Sequence, residues 1–322
     1  MEKNFYKILN DLGLDDASLK PLYKDASNRT YYRIVSKSGT LVLMTQDSPI
    51  SEDDANLASI EDFKGLGVRV PKIHRVFNKE GVLIQEDLGD IHLESVKDRT
   101  MLRSCYISAV NILLSFQKAA HDIQCEGKEL KVFKTSFTSE KFLSELKMTT
   151  EYYINKYMDR VLSDKTKSKL NDFYIDLVSK MMEQPFLLQH RDYHSRNIMI
   201  KDGDLFIIDL QDARLGPLAY DMASLMIDPY IDLDDDIVND CLEHYYKGIS
   251  NFIPCSYDEF IYIYRLCFLQ RGIKILGTFA YQKMKNSKDK YLPYIPVTVS
   301  KLNDICGYFP EWESIIKGTV LA

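Results

Sequence analysis

The sequence predicts an α+β fold in two lobes, a small β-rich N-terminal lobe and a large, mostly helical C-terminal one. Three observations predict it. β-type runs with a hairpin signal fill much of the first 87 residues, and helical apolar spacing takes over from about residue 99. A polar-rich β segment near residue 190 then interrupts the helical half. The 322 residues are enough for two such lobes with sizeable cores.

Residues 19–47 hold two β-rich runs joined by Ser36-Lys37-Ser38-Gly39, a hairpin signal that ends in glycine. Ser51 followed by Glu52, Asp53 and Asp54 reads as a capping serine with acids in the first turn, opening a helix that runs to about Gly65. Pro71 starts another extended stretch, and Gly81–Gln85 is a strand that enters the turn Glu86–Asp90. The N-lobe is therefore set at 1–87 and the C-lobe at 88–322. In the C-lobe, Leu102, Tyr106, Val110, Leu113, Leu114 and Phe116 follow a helical period, as do Phe142, Leu143, Leu146 and Tyr153 after a cap at Ser139. Residues 166–182 and 236–252 are further amphipathic helices. The interrupting β segment is Phe186–Gln189, then Asn197–Ile200, a turn at Lys201–Asp204, and Leu205–Asp209.

Composition narrows the function classes. Hydrophobic residues at 45% and charged residues at 27% belong to a soluble globular chain. No apolar run reaches the ~18–20 residues of a membrane helix. The first thirteen residues scatter charges among apolar side chains, so no secretory signal is expected. A net charge of −6 offers no electrostatic grip on nucleic acid or an anionic membrane. Six widely spaced cysteines without a C-x-x-C pair fit reduced thiols and a cytoplasmic location.

The informative stretch is His190-Arg191-Asp192-Tyr193-His194-Ser195-Arg196-Asn197, followed by Ile207-Ile208-Asp209. With Asp202 and Gly203 at the centre of the turn, facing residues sum to 405, so Asn197 faces Ile208 and Asp209 lies one step beyond. Cross-strand neighbours are about 4.5–5.5 Å apart. The Asn197 amide and the Asp209 carboxylate therefore converge at the open end of the hairpin, with Asp192 on the loop leading into it. Oxygen donors of this kind suit Mg²⁺. Phosphoryl transfer needs such an arrangement: a base holds the acceptor hydroxyl in line and metal-bound oxygens neutralise the nucleotide phosphates. H-R-D-x-x-x-x-N followed by a strand ending in Asp is the kinase catalytic loop and metal-ligand strand. A lone Asp at either place would read as an ordinary loop acid; the full spacing does not.

The chain resembles the aminoglycoside phosphotransferase and choline kinase superfamily, and within it the bacterial kinases of N-acetylmuramate and N-acetylglucosamine. Asp25-Ala-Ser-Asn-Arg-Thr-Tyr-Tyr-Arg33 is similar to that family's phosphate loop, and Gln85–Asp90 to its interlobe hinge. His190–Asn197, Asp209–Asp221, Leu269–Gly277 and Lys288–Leu292 resemble its later motifs. The resemblance implies a bilobal protein-kinase-like fold with ATP in the cleft between the lobes. It implies that Ser27, Asn28, Arg29 and Thr30 meet the phosphates and that the backbone around Glu86 and Leu88 meets adenine. Asp192 would be the catalytic base, Asn197 and Asp209 the Mg²⁺ ligands, Asp221 the anchor of the catalytic loop and an amino sugar the small-molecule partner.

Two departures stand out. The phosphate loop has no glycine, and Leu41-Val42-Leu43-Met44 occupies the place of V-A-I-K, putting Met44 where a phosphate-pairing lysine is usual. Arg33 or Lys24 is left to supply the charge. His190 reads as a scaffold histidine, and His194 as a residue able to meet substrate. Asp228, Asp232, Asp234, Asp235 and Asp236 read as a solvated helix start, and Lys283, Lys285, Lys288 and Lys290 as a basic surface loop. Three functions compete: an ATP-dependent anomeric sugar kinase, an aminoglycoside- or choline-type kinase, and a catalytically silent nucleotide-binding module suggested by Met44. A protein kinase is disfavoured, because only eleven residues separate Asp209 from Asp221 and no A-P-E follows.

Overall fold

A computed structural model describes residues 5–22, 29–51 and 54–322. The helix α1 (Phe5–Asp11) precedes the strands β1 (Ser18–Pro21), β2 (Thr30–Ser36) and β3 (Gly39–Thr45). Then come α2 (Ala55–Gly65), β4 (Ile73–Phe77) and β5 (Val82–Glu86). These five strands form one antiparallel sheet in the order β1-β2-β3-β5-β4. Alternation along β3 gives the sheet two apolar faces. Leu43 packs with Ile8, Leu9, Ile34, Val82 and Ile84 on one face, while Met44 packs with Ile50 and Leu83 on the other.

The second lobe is helical, with α3 (Arg99–Cys125), α4 (Ser139–Met148) and α5 (Asp164–Met182) first. Two short ladders follow: β6 (Phe186–Gln189) pairs with β9 (Arg214–Pro217), and β7 (Ile198–Lys201) with β8 (Asp204–Ile207). The helices α6 (Tyr220–Met226), α7 (Asp235–Ile249), α8 (Tyr257–Asn286), α9 (Ile295–Cys306) and α10 (Pro310–Ile315) complete it. α8 runs through the centre of the lobe. Its thirty residues are buried on several sides, including Arg271 at 3% exposure and Lys274 at 9%. No described helix is long and apolar enough to cross a membrane.

The hairpin register is the expected one: Ile198 faces Ile207 and Lys201 faces Asp204. Asp202 and Gly203 both take positive φ, +53° and +84°, as a two-residue turn between twisted strands requires. Four expectations are corrected. The cap of α2 is Asp54, whose carboxylate accepts from the Asn56 and Leu57 N–H groups, because an acceptor must sit two or three residues ahead of those donors. Likewise Thr138, not Ser139, caps α4. The strand after the turn ends at Ile207; Asp209 lies outside it in a left-handed conformation, φ +69°. β9 is a strand that local pattern did not reveal, since its partner β6 is distant in sequence.

The lobes are tied through α2 and the hinge. Phe63 on α2 belongs to the large core, with its ring 5.0 Å from Phe116 and edge-on to His190. Arg69 accepts from the Ile207 N–H at 2.9 Å through its carbonyl. Lys201 reaches Glu86 at 2.6 Å and the Asp87 carbonyl at 3.0 Å.

Candidate active site

The catalytic loop is bolted down before it presents any chemistry. Gln189 ends β6 and His190 follows it, and the Asp221 carboxylate accepts from the N–H groups of His190 and Arg191 at 2.5 and 2.9 Å. Burial raises the Asp221 carboxyl to about 6, against the pull of His190 and these two N–H groups. His190 is a scaffold: its Nδ1 accepts from the Asp192 N–H, so its Nε2 carries the proton and donates to the Ile208 carbonyl at 2.8 Å. That bond joins the catalytic loop to the segment carrying Asp209. Arg191 and Asp209 both take positive φ without being glycine. Such backbone costs roughly 1–3 kcal/mol each and persists where the surroundings hold it.

Asp192 faces a cavity of about 420 Å³. Its Oδ1 accepts from Arg271 at 3.1 Å, and the Lys274 ammonium lies 3.5 Å away. Burial pushes this carboxyl up, but Lys274, Arg271 and Arg191 outweigh it and hold Asp192 well below the usual carboxylate range. The cavity is walled on one side by Met148, Tyr230, Ile275 and Phe279. His194 also lines it, and its buried Nδ1 has no hydrogen-bond partner among the described residues. Asp228, expected at a solvated helix start, is instead fully buried; it accepts from the Ser195 N–H at 2.7 Å and the Tyr230 N–H at 2.9 Å. Through these two bonds Asp228 ties the catalytic loop to the loop between α6 and α7, which a solvated side chain could not do. Asp234 and Asp236 do remain at the surface, paired with Arg99.

A second cavity, between the lobes, is lined by Arg29, Tyr31, Gln46, Asp47, Ser48, Asp209 and Gln211. Arg29 donates to Gln211 at 3.1 Å, and Gln211 donates to Asp209 at 2.6 Å. Asn197 spends its Nδ2 on the Asp192 carbonyl at 2.9 Å, which fixes the amide and leaves Oδ1 as the acceptor end. The Ile208 N–H donates to the Asn197 carbonyl at 3.1 Å, so Asn197 and the Asp209 segment do converge. An amide oxygen and a carboxylate fit Mg²⁺, which takes few protein ligands and keeps water and phosphate oxygens. Among the described residues no group of three His, Cys, Asp or Glu side chains forms a self-sufficient metal cage.

Among the described residues the cation lining this cavity is Arg29, not Arg33. Arg33 is committed to the hinge, gripping Asp87 at 2.7 Å and Asp90 at 3.0 Å, so it does not stand in for a phosphate-pairing lysine. Lys24, Ser27 and Asn28 lie outside the described residues. Thr30 opens β2 opposite Thr45. Glu86 ends β5, spending its carboxylate on Lys201 and the Lys72 N–H; Leu88 follows in the hinge, 5% exposed. Met44 is 2% exposed and buried in the sheet's small core.

Sequence reading missed the roles of Arg271, Lys274 and Glu145. A signal was present: a helix otherwise apolar on several sides carries Arg271 and Lys274 three residues apart, and buried charge is expensive unless paired or used. Asp192 answers both, 3.1 Å from Arg271 and 3.5 Å from Lys274, while Glu145 lies 3.9 Å from Lys274 and 3.2 Å from Arg191.

A cavity lined by the Asp192 carboxylate and an interlobe cavity lined by Asp209 and Gln211 are what an ATP-dependent phosphotransferase with an alcohol acceptor needs. The chain belongs to the phosphotransferase enzyme family (APH), whose pattern matches residues 18–252. It is 26% identical over 294 residues to an N-acetylmuramate/N-acetylglucosamine kinase of Neisseria meningitidis serogroup B, covering 89% of this chain and 85% of that protein. It is 28% identical over 304 residues to a Pseudomonas aeruginosa protein of the same name, covering 92% and 86%. The choline kinase LicA from Streptococcus pneumoniae has the same fold at 17% identity, with a TM-score of 0.64 over 94% of this chain and 99% of that one. The fold is the bilobal protein-kinase-like one.

Proposed function

We propose that this chain transfers the γ-phosphoryl group of ATP to the anomeric hydroxyl of N-acetylmuramate or N-acetylglucosamine, in recycling of cell-wall sugars in the cytoplasm. The observation that carries the reading is Asp192 facing one cavity while the bond from Ile208 to Asn197 ties its loop to the segment that brings Asp209 to the interlobe cavity. Relatives named for these two sugars support the choice of acceptor. Residues 1–87 form the nucleotide lobe in this reading, and 88–322 the catalytic one. Adenine meets the backbone at Glu86 and Leu88, the phosphates meet Ser27, Asn28, Arg29 and Thr30, and Asn197 and Asp209 hold Mg²⁺, which supplies charge neutralisation.

Asp192 accepts a hydrogen bond from the acceptor hydroxyl and aims its lone pair at phosphorus. Because Arg271 and Lys274 keep it a weak base, it takes the proton late, as the sugar O–P bond forms and the bond to the ADP oxygen breaks. Late proton transfer suits a loose transition state. The test is a phosphate-transfer screen with ATP–Mg²⁺ against amino sugars, aminoglycosides and choline. Sugar 1-phosphate and stoichiometric ADP are expected; turnover of choline or an aminoglycoside in preference to every amino sugar would overturn the assignment.

A further inference from the structure

The acceptor cavity has spent its carboxylates and kept its donors. Glu145 uses Oε1 on Arg191 at 3.2 Å and Oε2 on Gln270 at 3.1 Å. Asp228 uses both oxygens on backbone N–H groups. Asp192 uses Oδ1 on Arg271. The donors are in a different state. Among the described residues the Lys274 ammonium meets carboxylate oxygen only at 3.5 and 3.9 Å, beyond a normal hydrogen bond, though it has three protons to give. Among the described residues the buried Nε–H groups of Arg191 and Arg271 have no hydrogen-bond partner, and Lys141 reaches Glu145 only at 3.9 Å. Of these donors, the Lys274 ammonium lines the cavity and is left for what enters it.

We propose that Lys274 selects the acceptor: its ammonium binds an oxygen adjacent to the reacting hydroxyl, so the cavity takes neutral or anionic sugars and refuses alcohols bearing a nearby ammonium group. The inference rests on the reading of Asp192 as the group that meets that hydroxyl. Lys274 stands beside the same carboxylate, so the neighbour of the reacting hydroxyl falls within its reach. In an anomeric acceptor that neighbour is the ring oxygen or the 2-acetamido carbonyl, both acceptors. In choline it is a quaternary ammonium, which has no lone pair and repels Lys274 inside a half-closed, low-dielectric space. Burial pushes the Lys274 ammonium down to about 8 against the opposing pull of Asp192 and Glu145, so it stays charged at neutral pH. The charged or titratable groups around it are Lys141 and Glu145 from α4, Arg191, Asp192 and His194 from the catalytic loop, Asp228, and Arg271 on its own helix. The aromatic wall of Tyr230 and Phe279 offers an apolar surface to a pyranose ring.

The test uses the full chain, ATP–Mg²⁺, and N-acetylglucosamine and choline as probes. Wild type should phosphorylate the sugar and not choline. Lys274→Met should raise the KM for N-acetylglucosamine at least tenfold while nucleotide affinity stays within twofold, which also reports that the variant is folded. Lys274→Glu should lose the sugar further and gain measurable transfer to choline. An acceptor KM unchanged in Lys274→Met, with only kcat and its pH profile moved, would mean that Lys274 acts on Asp192 alone and would overturn the proposal. The wild-type screen decides without any variant: turnover of choline at the sugar's rate also overturns it. If no amino sugar is phosphorylated but another neutral or anionic alcohol is, the sugar reading fails and the Lys274 proposal stands; a cationic alcohol as sole acceptor sinks both, as does no transfer at all.

Discussion

Asp192 sits against two cations and faces one cavity, so replacing it separates chemistry from nucleotide binding. Asp192→Asn keeps the shape but gives up the charge and the capacity to take a proton. The expected loss in kcat is at least ~10²-fold with ATP affinity little changed, read by single-turnover transfer beside a nucleotide titration. Near-normal kcat on the identified sugar would remove Asp192 from the chemistry. Asp209 lines the interlobe cavity, where Gln211 holds its Oδ1 at 2.6 Å. Asp209→Ala should abolish the Mg²⁺ dependence of ATP binding, and Asn197→Ala should weaken it less, since it offers one neutral oxygen. Titrating Mg²⁺ against nucleotide affinity tests both; the same metal dependence in Asp209→Ala as in wild type would contradict the role.

At the scale of elements, two close packings decide where the site stands. Met44 lies on the face of β3 that meets Ile50 and Leu83, with Tyr31, Leu57, Ile73 and Val76 around them. A lysine ammonium there would be buried without a carboxylate partner in that apolar cluster, so Met44 is a packing residue. Met44→Ala should cost roughly 2–5 kcal/mol, measured by denaturant midpoint, with activity retained in the folded fraction. Activity lost without loss of stability would argue for a direct nucleotide role. The second packing joins α8 to Thr149–Tyr157, where α4 widens into a π-helical stretch. Thr149 donates to the Ile273 carbonyl at 2.7 Å, and a Cβ on Gly277 would lie 2.4 Å from the Thr149 hydroxyl and 2.8 Å from its Cα. Backbone cannot yield as a flexible side chain does. Gly277→Ala should cost about 1–3 kcal/mol and, by shifting α8 one turn beyond Lys274, raise the acceptor KM. Unchanged stability and KM would show that the two elements can part freely.

The same elements show what the sequence could disclose. The β7–β8 hairpin register was legible because Asp202-Gly203 fixes the turn locally, and register then follows by counting. The caps of α2 and α4 were misread because several polar residues compete at each start, and only the local φ/ψ selects the one whose oxygen reaches the N–H groups. β9 and the burial of Asp228 depend on partners tens of residues away. Arg271 and Lys274 left a trace as charges in an apolar helix, but their meeting with Asp192 is a tertiary fact. Arg33 stands beside Lys24 as a candidate for the phosphate charge in the sequence because its hinge partners, Asp87 and Asp90, are linked to it by no local pattern.

Across the whole molecule, stability is unevenly spread and the ligands divide along the same line. Among the described residues the five-stranded sheet is held by two small clusters, with six and three buried apolar residues, while α2 is built into the large core of the other lobe through Phe63. Sheet amides should therefore open at lower free energy than those of α8, which is buried along most of its length. ATP–Mg²⁺ touches both lobes in this reading, since Arg29, Tyr31 and Asp47 face Asp209 and Gln211 across one cavity, whereas the acceptor touches only the helical lobe. A ligand that binds only the closed state at 100 times its Kd adds about 2.7 kcal/mol, equivalent to roughly hundredfold slower opening-limited exchange. Hydrogen exchange should thus show amides of β2 and β3 exchanging faster than those of α8 in the free protein, slowed about that much by ATP–Mg²⁺ and left unchanged by N-acetylglucosamine alone. Sheet amides as slow as those of α8 without nucleotide would refute the uneven spread. Protection of the sheet by the sugar alone would refute the division of ligands, because it would require the acceptor to bridge the lobes from a cavity lined entirely by the second.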